Sequence, residues 1–190
     1  MLGDRFRLAR ADNDRGVRTV RALLILALLT LASACSQQNA GACNVSVVRE
    51  LAFAGSTVNL RAETQGQNCH QALALYTIRD EAGDLIYAWT TPLQRGFGDV
   101  FGELPDEHLQ SFLDRWATPA VLTTAAAPAW ADLETGQSTL DQLTYDDIRA
   151  RDLPMLCHYS GTSREACVFW EPAAGAAGHL FDRIAEETPE

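Results

Sequence analysis

From Ala22 to Leu31 the chain reads ALLILALLTL, ten residues without a charge, with Arg18 and Arg21 ahead of it and the small residues Ala32, Ser33 and Ala34 behind it. A basic flank, an apolar stretch and a small-residue end make an export signal. As a helix rising ~1.5 Å per residue the stretch spans only about half of the ~30 Å hydrocarbon core, too short for a permanent membrane span. This feature constrains the fold more than any other. It takes residues 1–34 out of the mature chain and sends the rest to an oxidising compartment, where paired cysteines persist. Residues 1–16, MLGDRFRLARADNDRG, are long and mixed in charge for a leader, whereas the stretch from Val17 is compact alone, so position 17 is the expected start.

The signal runs into LASACSQQ, with Cys35 after the small residues. This resembles the lipobox of bacterial lipoproteins. The resemblance implies a diacylglyceryl group on the Cys35 thiol, cleavage just before it, and acylation of the new N-terminus. It covers the signal alone and departs at Ala32, where the family prefers Leu. Ser36 stands where an enteric inner-membrane retention signal carries Asp, which implies the outer membrane of a Gram-negative-type envelope, facing the periplasm. Several acyl chains bury many CH₂ groups at ~0.8 kcal/mol each, enough for a stable anchor. The tether, residues 35–42, reaches at most ~28 Å. The expected partners are therefore the lipid bilayer, through an acylated Cys35, and a membrane-proximal envelope protein or polymer.

Residues 35–190 keep nine arginines against 22 acids, a net charge of −13, and the chain has no lysine. Such a surface repels phosphate backbones and anionic head groups, which excludes nucleic acid as a partner and leaves the holding to the anchor. The length suits one domain, residues 43–190.

Four cysteines lie in that domain: Cys43, Cys69, Cys157 and Cys167. An even number in an exported chain is expected to pair. Of the three connectivities, Cys43–Cys69 with Cys157–Cys167 joins the nearest neighbours in sequence. In PMLCHYSGTSREACVFWEP, residues 154–172, a hairpin centred on Thr162 sets Cys157 opposite Cys167, Leu156 opposite Val168 and Met155 opposite Phe169. Facing positions bring Cβ atoms within ~4.5–5.5 Å, close to disulfide range. Cys157 is thus expected as a staple, and His158, on the other face of the strand, as a satisfied sheet histidine.

Residues 45–48 and 56–64 read as strands, the second alternating Val58, Leu60 and Ala62 with polar neighbours. Residues 71–89 read as a hairpin turning at Gly83. The glycine-rich passage 95–104 leads to Pro105 at the first position of a helix over 105–117, with Leu109, Phe112, Leu113 and Trp116 on one face. Residues 121–130 contain a short strand that stops before Pro128. Thr144 to Asp147 has a capping-box layout that predicts a helix starting there and ending before Pro154. Residues 173–187 predict a final short helix with Leu180, Phe181 and Ile184 inward. The fold class is α+β: a mainly antiparallel sheet with two or three short helices packed on it, stapled by disulfides.

No nucleophile elbow, phosphate loop, dinucleotide fingerprint or zinc-protease pattern occurs, so neither catalytic residue, metal ligand nor cofactor is assigned. The Cys-x₉-Cys spacing lacks the short ligand pairs of zinc sites. Asp146 and Asp147 suit a first helical turn, and Trp89, Trp116, Trp130 and Trp170 suit a core. The expected function is a non-catalytic binding or interaction module. The alternatives are a hydrolase of an envelope polymer using carboxylates, or Ser160 or Ser163 with His158 or His179, and an inhibitor that plugs a cell-wall hydrolase with its hairpin. The candidate contact is the hairpin tip, Ser160, Gly161, Thr162, Ser163 and Arg164, because a loop pinned near a disulfide loses little entropy on binding. The passage from Arg95 to Gly102 is the next place to look.

Overall fold

The computed structural model describes residues 42–185. The export signal, the start at Val17, Cys35 and all of the tether but its last residue lie outside them, as do the last two residues of the expected final helix.

Strands β1 (Ser46–Phe53), β2 (Ser56–Gln65), β3 (Leu73–Arg79) and β4 (Leu85–Pro92) form an antiparallel sheet in that order. Period-two patterning dictates its inner face: Val58, Leu60, Ala62 and Thr64 of β2 and Ala74, Tyr76 and Ile78 of β3 are buried between exposed or half-buried neighbours. Gly83 turns the β3–β4 hairpin at φ 88°, as its sequence position predicts. Two helices follow, α1 (Leu93–Phe97) and α2 (Glu107–Trp116), the second burying Leu109, Phe112, Leu113 and Trp116 against this sheet's core. Asp106 caps α2, accepting a 2.9 Å hydrogen bond from the Leu109 amide. Pro105 therefore sits before the cap and not at the first helical position, since an Asp side chain satisfies an orphan amide that Pro cannot.

The second antiparallel sheet runs β5 (Val121–Thr123), β6 (Pro154–Gly161), β7 (Arg164–Glu171), β8 (Ala176–Ile184). Helix α3 (Gln142–Ala150) covers its outer face. The cap of α3 is Asp141, which accepts from the Thr144 amide at 3.0 Å, so the helix begins earlier than the Thr144 layout predicts. Asp146 and Asp147 consequently lie beyond the first turn, exposed, and the dipole of the helix start does not account for them. The strand expected within 121–130 ends at Thr123 because the next residue turns inward: buried Thr124 donates to the Ile148 carbonyl at 2.8 Å and accepts from the Leu153 amide at 2.9 Å.

The C-terminal segment is strand β8, not a helix. Its alanines favour a helix weakly, and the open edge of β7 offers a full ladder of hydrogen bonds instead. A bulge opposite Cys167 and Val168, which pair with Phe181 and His179, leaves Leu180 as the extra residue. Both Leu180 and Phe181 are thereby buried, while Ile184 is 72% exposed rather than inward.

The architecture is α+β with all strands antiparallel, split between two sheets, and two disulfides staple it: Cys43–Cys69 and Cys157–Cys167. The second sheet has core on both sides. Leu156 and Val168 join the core of the first sheet and α2, whereas Met155, Cys157, Cys167 and Phe169 join that of α3.

Candidate binding cleft

The β6–β7 hairpin pairs as its sequence predicts, Cys157 with Cys167, Leu156 with Val168 and Met155 with Phe169, until an irregularity between Tyr159 and Gly161 shifts the register at the tip. The tip lies against the glycine-rich passage. Thr162 Oγ1 donates to the Gly96 carbonyl across 3.5 Å, joining segments 66 positions apart. Arg164 turns away to Asp182 on β8, 3.4 Å from its carboxylate.

Between the tip, the passage and α2 lies a cleft of about 490 Å³. Phe97, Phe101, Phe112 and Tyr159 give it an aromatic lining, with the Phe97 and Phe112 rings 4.7 Å apart, Phe101 and Phe112 5.2 Å, and Phe112 and Tyr159 6.1 Å. His108, Ser111 and Arg115 present one face of α2 to it, their spacing placing them on successive turns. Exposed Val100, with Gly161 and Thr162, completes the wall. No carboxylate lines the cleft, and Arg115 makes no ion pair among the described residues. Of the five tip residues singled out by sequence, Gly161 and Thr162 line the cleft; Ser160, Ser163 and Arg164 do not.

Behind the cleft, His158 is buried among aromatic rings. It stacks on Tyr76 at 4.3 Å and lies 5.6 Å from Trp89 and 6.4 Å from Trp116. Its Nδ1 is 2.9 Å from the Tyr159 carbonyl and its Nε2 is 2.8 Å from the Tyr87 hydroxyl. A carbonyl only accepts, so Nδ1 carries the proton and Nε2 accepts from Tyr87. Burial pushes the His158 pKa down to about 4, against the opposing pull of the Tyr159 carbonyl. Burial likewise raises the Tyr87 hydroxyl above the ordinary phenol range. His158 is thus a neutral, doubly bonded core histidine. The hydroxyl of Tyr76 and the Nε1 of Trp116 are buried nearby without a hydrogen-bond partner among the described residues.

Among the described residues no hydrogen bond joins a Ser to a His; His179 Nε2 instead meets Asp182 at 3.1 Å. Nor does any group of three His, Cys, Asp or Glu side chains gather closely enough to hold a metal ion among them. Trp116 is fully buried, and Trp89, Trp130 and Trp170 pack partly buried against the two cores.

The cleft was legible only in part. The passage from Arg95 to Gly102 marks one wall, but the polar stripe His108, Ser111 and Arg115 beside Phe112 was the sequence signal for the other. Its meaning depends on what faces α2, which no local pattern encodes. Comparison with family models, with curated proteins and with solved structures finds no match.

Proposed function

We propose that the chain is an envelope lipoprotein held at the bilayer by acylated Cys35, facing the periplasm, and that its domain is a non-catalytic binding module. The observation that carries this reading is the cleft of about 490 Å³ where the hairpin tip, the glycine-rich passage and α2 converge. Its size lies within the range of small-ligand sites, ~300–1,000 Å³, and it combines an apolar floor with a few polar groups, the usual composition of such sites. The engagement of both His158 nitrogens, and the absence of a Ser–His bond among the described residues, favour binding over hydrolysis. The contact of Thr162 with Gly96 favours the tip as a wall of this cleft over the tip as a plug for another protein's.

Two measurements test the reading. Acyl labelling of the wild type should disappear in Cys35→Ala with release from the membrane fraction; an unacylated wild type that stays bound rules out the anchor. A photoreactive residue at position 100, in the native envelope, should give a crosslinked product that Thr162→Trp abolishes. If position 100 gives no product, or one indifferent to Thr162→Trp, the cleft is not the contact.

A further inference from the structure

We infer that the cleft takes a compact organic anion, a free carboxylic acid bearing an aromatic or branched apolar group; this rests on the binding-module reading above. The charge distribution is the first reason. The chain carries 25 acids against 15 arginines, yet no acid among the described residues lines the cleft. The residues that do line it include Arg115, without an ion-pair partner among the described residues, and His108. A guanidinium offers parallel N–H donors that match a carboxylate, and a site without carboxylates adds no repulsion to that pairing. The repulsive surround also selects: an anion is drawn only where the negative surface is interrupted.

The floor supplies the second half of the ligand. Phe97, Phe101 and Phe112 are nine-tenths or more buried, their rings in tilted contact, with Tyr159 stacked on Phe112 to complete the row. An aromatic or branched group laid there meets ring edges and faces at the distances aromatic pairs prefer. Arg115 lies on the same helix face as Phe112, one turn on, so an acid separated by a few bonds from its apolar group reaches both. The small volume, about 490 Å³, favours a free small molecule over a folded partner, which would need about 800 Å² of its own surface for a stable contact.

The probe is N-acetyl-L-phenylalanine, with its neutral amide as control, in equilibrium dialysis against the mature protein in zwitterionic nanodiscs and against empty nanodiscs. The acid is expected to bind at least ~10-fold better than the amide, and Arg115→Gln to remove that preference with thermal stability unchanged. Val100→Glu, at a side chain 62% exposed, places a like charge at the mouth without disturbing the core and should weaken the acid several-fold while sparing the amide. Equal binding of acid and amide overturns the anion assignment and leaves the cleft as a site. So does binding of neither, if position 100 still yields a product that Thr162→Trp abolishes. Binding of neither without that product overturns both readings. A tetrapeptide ending in free Phe that binds more than ~10-fold tighter than the acid overturns the free-acid assignment in favour of a polypeptide end.

Discussion

Tyr87 on β4 and His158 on β6 share a 2.8 Å hydrogen bond that ties the first sheet to the second. The bond requires a neutral imidazole, because Nε2 must accept while Nδ1 donates to the Tyr159 carbonyl. Protonation at Nε2 would set two donors face to face unless the Tyr87 hydroxyl turned away, and it would place a charge inside an aromatic cluster.

Stability should therefore fall with acid. Above pH 6.5 His158 is neutral both folded and unfolded, and its effect is constant. As pH drops from 6.5 toward 4, the unfolded chain takes a proton that the folded chain refuses, and stability is lost; below about 4 both forms are protonated and this loss is complete. The full change is about 3 kcal/mol, at ~1.4 kcal/mol per pH unit. Urea midpoints measured from pH 7 to pH 4 should show the decline and His158→Phe should flatten it. An equal slope in the variant assigns the decline to other groups.

Thiol counting in denaturant without reductant should find no reactive thiol among Cys43, Cys69, Cys157 and Cys167. Replacing Cys157 and Cys167 together by Ala should cost about 3 kcal/mol in the chain-entropy account for a loop this short. A midpoint unmoved by the double substitution would mean the hairpin needs no staple.

Gly178 of β8 leaves little room for a side chain. A Cβ there would sit 3.0 Å from two ring carbons of Phe169, which is itself buried. Gly178→Ala should destabilise by roughly 1–3 kcal/mol, as overpacking does. Phe169→Leu in the same chain should recover part of the loss if ring contact is the cause. Additive penalties would refute it.

The hairpin tip divides by function. Arg164 is 64% exposed and its ion pair with Asp182 is a surface one, so Arg164→Glu should move the melting temperature little and leave binding in the cleft intact. Thr162→Trp, at the cleft wall, should block it. Loss of binding in both variants would extend the site around the tip to β8.

Where local rules and packing agreed, the sequence was a good guide. The alternation of Val58, Leu60 and Ala62 and the facing of Cys157 by Cys167 needed nothing beyond period-two geometry. It misled where two short-range signals competed. Asp141 outranks Thr144 as a cap although only the latter begins a box-like pattern, and the alanines of 173–187 hide a strand whose partner edge is known only once β7 is placed. The division of the strands into two sheets, and the cleft that results, depend on contacts between residues far apart in sequence. Phe112 and Tyr159 meet across α2 and β6, and no window of sequence contains both.

The placement of the staples has a mechanical consequence. Cys43–Cys69 closes a loop around the first two strands, and Cys157–Cys167 crosses the β6–β7 ribbon; neither bridges the sheets. Separating the two sheets would instead open the seam where His158 lies among Tyr76, Tyr87, Trp89 and Trp116. That seam carries no covalent cross-link: the Tyr87–His158 hydrogen bond, the ring contacts, the packing of Leu156 and Val168 on the first sheet's core and the Thr162–Gly96 contact are what join the two stapled parts beside the cleft.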